Sequence, residues 1–275
     1  MRNSGPETIR ITGRDVAVLN DIRLSGVLGI EHVEELYFRG ISRARRRMSR
    51  LESGGYVRRL FVATGPRAGR SAFAIGPPSA DLLASMGLAD RADVAKQARR
   101  PMQRMLVEHC LGVARTRVAI LRDSGDAFSF VQEPLVRHEF DVVVSGEAER
   151  HVFRPDGLFR AEVGGTSGAL FLEFDTSASS LGKIEQIAAS YSRYLSLGLF
   201  AAEYGNAVPS VLFVTLGGPR RIRHVSAIAA KVPAPPFWFA TLEGVEDRGA
   251  MGRIWVRRLG DTPVSMMEIA GGAGC

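Results

Sequence analysis

Apolar positions in the first 76 residues recur with two different periods, and the change of period predicts three helices followed by two strands. Helical spacing extends over three segments, at residues 12–26, 30–38 and 41–55. Thr12 and Asp15 resemble a capping box at the first helix, and Ser42 is the expected N-cap of the third. Two strand-like segments, 56–63 and 71–75, flank a Gly/Pro turn. Three helices and a hairpin in this order predict a winged helix-turn-helix domain.

The rest of the chain predicts a second, larger domain of a different type. Residues 77–100 follow a Gly-Pro-Pro break and have interrupted helical spacing, so we expect a linker with short helices. From residue 101 to 275, helical segments alternate with strands. One strand, at 208–216, is an almost continuous apolar run, which is typical of a strand covered on both faces. This alternation predicts an α/β (α+β) fold with a mixed sheet between helices.

Charge is distributed unevenly along the chain. The 275 residues have a formal net charge of +7, yet residues 1–104 hold 19 Arg or Lys against 10 Asp or Glu, while 105–275 hold 17 against 19. The positive excess in the N-terminal part predicts a polyanionic partner bound there. No apolar run is long enough to span a membrane, and the first residues lack the apolar segment of a signal peptide. We therefore expect a cytoplasmic protein without a membrane partner.

Six arginines lie between Arg39 and Arg50, in and just before the third predicted helix. In a winged helix this element enters the major groove of DNA, where guanidinium groups bind phosphates or guanine edges. We predict that double-stranded DNA is bound by the third helix and the hairpin, through these residues: Ser42, Arg43, Arg45, Arg46, Arg47, Arg50, Arg58, Arg67 and Arg70. A solvated basic face on a protein-interaction domain is the alternative that the residues leave open.

A second candidate site lies in residues 154–177, where two strand-like segments flank a glycine-rich turn. With the turn centred in residues 164–168, Asp156 is expected to face Asp175 across the hairpin. Alternation along the strand places Glu173 on the same face as Asp175. Three carboxylates so close together repel one another unless a proton or a cation is bound. Their oxygen atoms suit Mg²⁺, so a bound Mg²⁺ would relieve this repulsion, although the sequence by itself requires no cofactor.

The same segment resembles the motif of the PD-(D/E)xK nuclease superfamily, in which an Asp and a Glu hold Mg²⁺ and a lysine two residues after the Glu helps to activate water. Pro155-Asp156 and Glu173 match this motif, whereas Asp175 stands where the lysine belongs. An acid cannot provide the positive charge that the lysine contributes at the transition state. Lys183 is the one nearby lysine. The resemblance implies Asp156 and Glu173 as metal ligands, and these two with Asp175 and Lys183 as catalytic residues of an active site.

A more extensive resemblance runs from about residue 12 to about residue 258. The chain is similar to the replication-relaxation family of bacterial plasmids, phages and integrated mobile elements. The similarity is carried by the winged helix and then by an ordered series of segments: EHCLGVARTRVAI, RPDGLF, FLEFDTS, YSRYL, VLFVT followed by arginines, FWFATLE and Trp255. It implies a winged-helix domain (1–76), a linker (77–100) and a restriction-endonuclease-like domain (101–275).

The resemblance also implies a function, a DNA-binding protein of a mobile element that acts in replication, DNA relaxation or mobilisation. On this interpretation the nuclease-like domain is not catalytic. An active Mg²⁺-dependent endonuclease or nickase is the alternative, so whether the protein is an enzyme stays open. Double-stranded DNA is the expected partner. Other replication or conjugation proteins, and a second copy of the chain in a homodimer, are further expected partners.

Overall fold

The computed structural model describes residues 9–61, 71–144, 147–232 and 235–272. The chain divides into two compact units, Met1–Ala114 and Arg115–Cys275. The described helices and strands are, in chain order, α1 (Gly13–Ser25), β1 (Leu28–Gly29), α2 (Ile30–Tyr37), α3 (Ile41–Ser53), β2 (Val57–Phe61), β3 (Ser71–Ile75), α4 (Ser79–Ser85), α5 (Arg91–Arg99), α6 (Arg104–Ser124), β4 (Phe128–Gln132), β5 (His138–Val144), β6 (Glu147–Phe153), β7 (Gly157–Val163), β8 (Thr166–Asp175), α7 (Leu181–Ser196), α8 (Leu199–Tyr204), β9 (Val208–Thr215), α9 (Gly218–Ala229), β10 (Phe237–Thr241), α10 (Leu242–Asp247) and α11 (Met266–Ala270). None of these helices has the length and apolar composition needed to cross a membrane.

The N-terminal unit combines helices with a small antiparallel sheet in the order β1-β3-β2. The three helices and the two hairpin strands lie where the sequence predicts them. Thr12 and Asp15 form the expected capping box at the start of α1. The start of α3 differs from the prediction, because the helix begins at Ile41 with Gly40 as its N-cap. The expectation that Ser42 is the N-cap is therefore wrong.

Helices α4 and α5 occupy the segment 77–100, which the sequence predicts as a linker with short helices. Leu83 of α4 and Val94 of α5 are fully buried in the same apolar core as Leu19 of α1 and Met48 of α3. These two helices thus contribute to the core of the N-terminal unit. The domain boundaries at residues 76 and 100 stay predictions.

The C-terminal unit is built on a mixed five-stranded sheet in the order β10-β9-β8-β7-β4. Strands β8, β9 and β10 are parallel to one another, whereas β7 pairs antiparallel with β8 and β4. Helices α7 and α9 pack on the sheet through a core that includes Ile184, Tyr191 and Val225. The predicted α/β fold with a mixed sheet is confirmed. Because β8 and β9 are parallel, their carboxyl ends meet at one edge, where Asp175 pairs with Thr215.

The hairpin of β7 and β8 has a different register from the predicted one. Its turn consists of Gly164 and Gly165 alone, and both have a positive φ, as the favoured two-residue hairpin turns require. Gly157 consequently pairs with Leu172, which places Asp156 beside Glu173. The prediction that Asp156 faces Asp175 is wrong, because it assumed a turn centred further along the chain.

A separate two-stranded ribbon, β5 and β6, leads into the hairpin. Its last residue, Phe153, stacks on Tyr194 with ring centroids 4.1 Å apart and meets Tyr191 edge-on at 4.9 Å. Aromatic contacts of this kind stabilise the packing beyond the apolar area that they bury. The ribbon therefore fixes the chain just before Pro155 and Asp156 against α7.

Candidate functional site

Helix α3 presents two chemically distinct faces. Ala44, Met48 and Leu51 are completely buried and bind the helix to the core of the N-terminal unit. The opposite side carries exposed residues that the sequence predicts as DNA contacts: Ser42, Arg43, Arg45, Arg46 and Arg50. We call the four arginines of this set the α3 arginine face. Within the described part of the chain, none of the four forms an ion pair with a carboxylate.

Arg47 belongs to the same helix but points elsewhere. Its Nε donates to Oδ1 of Asp15 at 2.7 Å, and its Nη2 to Oδ2 at 2.5 Å and to the carbonyl oxygen of Arg10 at 2.8 Å. Asp15 is almost completely buried. Burial alone would raise the pKa of Asp15, but the hydrogen bonds from Arg47 and Thr12 outweigh it and hold that pKa below its usual value. Arg47 thus joins α3 to α1 and is not part of the α3 arginine face.

The hairpin arginines have mixed positions. Arg58 is half-buried and donates to two backbone carbonyls, at Ile75 and Arg100. The predicted contacts Arg67 and Arg70 lie outside the described residues. The described part of the hairpin therefore adds no exposed, unpaired cation of the predicted set to the α3 arginine face.

The predicted catalytic residues lie at the carboxyl end of β8 and around it. Asp156 accepts a hydrogen bond at Oδ2 from the backbone N–H of Phe174, at 2.7 Å, while its own N–H donates to Leu172. This pair of bonds continues the β7–β8 ladder by one step and holds Asp156 next to Glu173. We call Asp156, Glu173 and Asp175 the carboxylate cluster.

Glu173 is buried and hydrogen-bonded. Tyr191 Oη donates to its Oε1 at 2.8 Å, and the Glu173 side chain is otherwise surrounded by the core. Burial, and next the negative charge of Asp156, raise the pKa of Glu173 well above its usual value, while the Tyr191 bond and the positive charge of Lys183 oppose that rise. Glu173 consequently retains a proton at pH values where an exposed glutamate is ionised.

Asp175 is neutralised by a different partner. Arg221 of α9 donates to both carboxylate oxygens, at 2.8 Å from Nε and 3.1 Å from Nη2, and Thr215 Oγ1 donates at 2.9 Å. The side chain of Asp175 is 2% exposed and that of Arg221 13%. A bidentate Arg–carboxylate pair is among the strongest hydrogen-bonded arrangements in proteins. Asp175, two residues after Glu173, is thereby committed to a buried structural ion pair.

The loop between β8 and α7 is fixed by the same contacts. Arg221 Nη2 also donates to the carbonyl of Ser179 at 2.8 Å, and Ser177 Oγ lies 3.2 Å from Thr215 Oγ1. Ser177 has φ of 68°, in the left-handed region that disfavours residues other than glycine. Surrounding structure must hold such a residue in place, and the Asp175–Arg221 pair provides that constraint.

Lys183 lies in the first turn of α7, where Ser180 is the N-cap. Its side chain is exposed, and its charge acts on Glu173. Of the predicted catalytic residues, Asp156 and Lys183 thus lie near enough to Glu173 for their charges to act on its carboxyl group. The structure does not bring Asp175 into that group as an available ligand.

Asp156 and Glu173 are the two side chains that could hold Mg²⁺. This ion commonly takes one or two carboxylates and completes its shell with water and phosphate oxygens, so the number of oxygen donors suits it. The burial and the raised pKa of Glu173, however, oppose the ionisation that a metal ligand requires. Bound there, Mg²⁺ would act as a Lewis acid on a phosphodiester. Among the described residues, no group of three or more His, Cys, Asp or Glu side chains is arranged to hold a metal ion.

Residues 19–209 match the model of the family described as replication-relaxation, which is more than half of the chain. The chain belongs to the replication-relaxation family. The match begins within α1 and ends in β9, so both the α3 arginine face and the carboxylate cluster lie in the family region. No protein with a curated description matches the chain in sequence.

Two solved structures resemble this replication-relaxation protein weakly. They are restriction endonuclease FokI, with a TM-score of 0.29 and 10% identity, and FokI bound to DNA, with 0.25 and 9%. Each comparison covers 84% of this chain but only 42% and 43% of FokI, so the chain spans about two fifths of that enzyme's length. Similarity at this level carries no inference about the fold or the function of the family member described here.

Three residues that contact the carboxylate cluster were not singled out from the sequence as site residues. Arg221 and Thr215 were present only within the segment "VLFVT followed by arginines", which carries the family resemblance. Tyr191 was likewise present only within the segment YSRYL and was not identified as a hydrogen-bond donor to Glu173. The sequence feature that could have indicated the Asp175–Arg221 contact is the pair Arg220-Arg221, which follows a buried strand. Residues that follow neighbouring parallel strands come together at the same edge of the sheet.

Proposed function

We propose that this protein binds double-stranded DNA through the α3 arginine face of a winged-helix domain. In the winged-helix arrangement the third helix enters the major groove and the hairpin flanks it. The order α1, β1, α2, α3, β2, β3 and the antiparallel β1-β3-β2 sheet support this proposal. Within the replication-relaxation family, we propose a role in replication, relaxation or mobilisation of a plasmid or another mobile element.

One observation carries the proposal: among the described residues, the α3 arginine face has no carboxylate partner. Arg43 and Arg46 are three residues apart and Arg46 and Arg50 four, so their charges repel along the helix. The same chain pairs Arg47 with Asp15 and Arg115 with Glu246. Cations that remain exposed and mutually repulsive on one helix are stabilised when a polyanion binds. Each neutralised phosphate also releases counterions, which adds favourable free energy at low salt.

The experiment compares two triple variants of equal charge. Arg43→Ala/Arg46→Ala/Arg50→Ala should abolish most binding to a fluorescent duplex and flatten the salt dependence by about 0.9 log units for each phosphate that is no longer neutralised. The matched control is Arg91→Gln/Arg137→Gln/Arg150→Gln, which removes three exposed arginines that already pair with Asp81 or Glu139. The control should bind like the wild type. Equal affinity of the wild type and the α3 variant would refute the proposal.

We further propose that the C-terminal unit is not catalytic. Asp175 occupies the place of the nuclease lysine, and its partner Arg221 directs its charge at that carboxylate. Glu173 is buried, receives a hydrogen bond from Tyr191 and has a raised pKa; its burial and its raised pKa oppose ionisation as a metal ligand. On this proposal the unit serves as a scaffold, a second DNA surface or a site for a partner protein.

A Mg²⁺-dependent endonuclease is the second candidate, favoured by the proximity of Asp156, Glu173 and the charge of Lys183. Nicking of supercoiled plasmid with Mg²⁺ or Mn²⁺ separates the two. The control is Asp156→Asn, which keeps an acceptor for the Phe174 N–H while removing the charge. Cutting by the wild type that Asp156→Asn eliminates would establish the nuclease. Absence of cutting by both proteins, in preparations that bind duplex DNA, supports the non-catalytic proposal.

A further inference from the structure

A groove of about 750 Å³ lies between α3 and the strands of the β2–β3 hairpin. Arg45, Arg46 and Ser49 line it from α3, and Arg59 and Ser71 line it from the hairpin. The described residues that line this groove do not include Arg43 or Arg50. The α3 arginine face is therefore divided, because Arg45 and Arg46 line the groove and the other two arginines do not.

Arg59 is held in place on the hairpin side of the groove. Its Nε and Nη2 donate to Oε2 of Glu52, at 2.9 and 2.5 Å, and its Nη1 lies 3.4 Å from the hydroxyl of Ser71. The guanidinium also stacks over the ring of Phe73, 5.6 Å from its centroid. A side chain that is already ordered loses little conformational entropy when a ligand binds. Arg59 is thus a preformed donor opposite Arg45 and Arg46.

The chemistry of the groove selects an extended anion. Three guanidinium groups and two hydroxyls face it from two walls, while Glu31 is the one acidic side chain among its described lining residues. The volume lies within the range of small-ligand sites, roughly 300–1,000 Å³, and Ile30, Ile41 and Phe73 are the apolar residues of the lining. A sugar–phosphate chain combines single negative charges with apolar sugar faces, and these are the groups that such a lining contacts favourably.

We infer that this groove clamps the sugar–phosphate backbone of one DNA strand, with Arg45 and Arg46 on one side and Arg59 on the other. The inference rests on the proposed DNA-binding function. It adds further contact residues and assigns different parts of the DNA to different arginines. The groove contacts hold phosphates and are independent of base sequence, whereas Arg43 and Arg50 are left for the rest of the duplex. Arg59 and the hydroxyls of Ser49 and Ser71 become DNA contacts that the sequence pattern did not single out.

Two variants with opposite expected effects test the clamp in the full-length protein. Arg59→Gln should lower the affinity for every duplex sequence by the same factor and reduce the slope of log affinity against log salt by about 0.9. Glu52→Gln removes the carboxylate that competes for Arg59, so it should raise the affinity about two- to fivefold. An increase cannot arise from misfolding, which protects the test against a destabilised Arg59 variant. Arg91→Gln is the control for the loss of one exposed arginine.

Phosphate-ethylation interference provides a direct readout of the contacted strand. Arg59→Gln should eliminate interference at one or two neighbouring phosphates and leave the other contacts of the wild type in place. The clamp would be overturned if the wild type binds duplex DNA and Arg59→Gln shows the same salt slope and the same interference pattern. That result would leave the proposed α3 interface intact. Failure of the wild type itself to bind duplex DNA would instead remove the proposed function. Saturation of the groove by inorganic phosphate, with no effect of Arg59→Gln on duplex binding, would assign the site to a free phosphoryl ligand and also overturn the clamp.

Discussion

The α3 arginine face and the carboxylate cluster use charge in opposite ways. Arg43, Arg45, Arg46 and Arg50 are exposed and have no carboxylate partner among the described residues, whereas Asp175 is buried and bonded by Arg221 and Thr215. An exposed charge remains solvated and available, but a buried charge without a partner costs several kcal/mol. The fold thus neutralises the buried charge of Asp175 and leaves the charges of the α3 arginine face exposed to solvent.

Adjacent residues of α3 make the same distinction within a single helix. Arg46 is exposed and has no ion-pair partner in the described structure, while Arg47 forms a bidentate pair with Asp15, 32 positions earlier in the chain. The two have the same chemistry and the same local sequence. Their roles differ because Arg47 lies at the border of the buried face, within reach of α1. Mutations of structural and of exposed arginines should therefore have different effects, and measuring both kinds tests this distinction.

The largest expected effect is that of Arg221→Ala. It leaves the buried carboxylate of Asp175 with the Thr215 hydroxyl but no cation, which should cost about 3–5 kcal/mol of the free energy of unfolding. Both tryptophans, Trp238 and Trp255, are buried in the C-terminal unit, so their fluorescence in urea reports on that unit. The exposed neighbour Arg220→Ala should change stability by about 0.5 kcal/mol or less. Equal midpoints for the two variants would mean that the Asp175–Arg221 pair is dispensable.

Arg47→Ala and Arg46→Ala should differ in stability by less than Arg221→Ala and Arg220→Ala do. Arg47→Ala leaves Asp15 buried with only the Thr12 contacts and should destabilise the N-terminal unit by about 3 kcal/mol. Arg46→Ala should leave stability within about 0.5 kcal/mol and weaken duplex binding instead. Hydrogen exchange of the α1 and α3 amides measures the first effect, because this unit contains no tryptophan. Duplex titrations below the unfolding midpoint measure the second, and the comparison fails if both variants lose both properties.

Much of the secondary structure was accessible from the sequence, because local patterns determine it. The capping box at Thr12 and the apolar spacing of Ala44, Met48 and Leu51 are short-range features, and both the helices and the buried faces follow from them. The register of the β7–β8 hairpin was predicted wrongly. A glycine-rich stretch allows several turn positions, and only the pairing of whole strands fixes Gly164 and Gly165 as the turn.

The partners of the charged side chains were much less predictable. Asp175 meets Arg221 only because β8 and β9 are parallel and α9 starts at their common edge. Asp15 likewise meets Arg47 only after α1 and α3 have packed together. Local sequence establishes that these residues are charged, and the fold decides whether the charge remains available. For the same reason the sequence could predict an exposed arginine-rich side of α3, but it could not predict that Arg47 pairs with Asp15.

The third expected effect concerns the pH dependence of stability at Glu173. Its pKa is raised in the folded protein, so above about pH 4.5 the unfolded chain releases a proton that the folded protein keeps. The stabilising contribution of this residue is therefore complete at low pH and declines as the pH rises toward its folded pKa, by at most about 1.4 kcal/mol per pH unit. Asp15, whose pKa is lowered, has the opposite sign, because its contribution is lost as the pH falls. The substitution Glu173→Gln removes the ionisation of this side chain and keeps an oxygen that accepts the hydrogen bond from Tyr191.

Glu173→Gln should consequently gain stability relative to the wild type between pH 5 and pH 8. Urea denaturation followed by tryptophan fluorescence at several pH values measures the difference in the C-terminal unit. Glu185→Gln, on the exposed side of α7, is the control and should follow the wild-type curve. Parallel curves for Glu173→Gln and the wild type would mean that Glu173 is ionised in the folded protein. The carboxylate cluster would then resemble the α3 arginine face, because it too would carry a charge that no partner in the fold neutralises. The case for a bound cation at the carboxylate cluster would become correspondingly stronger.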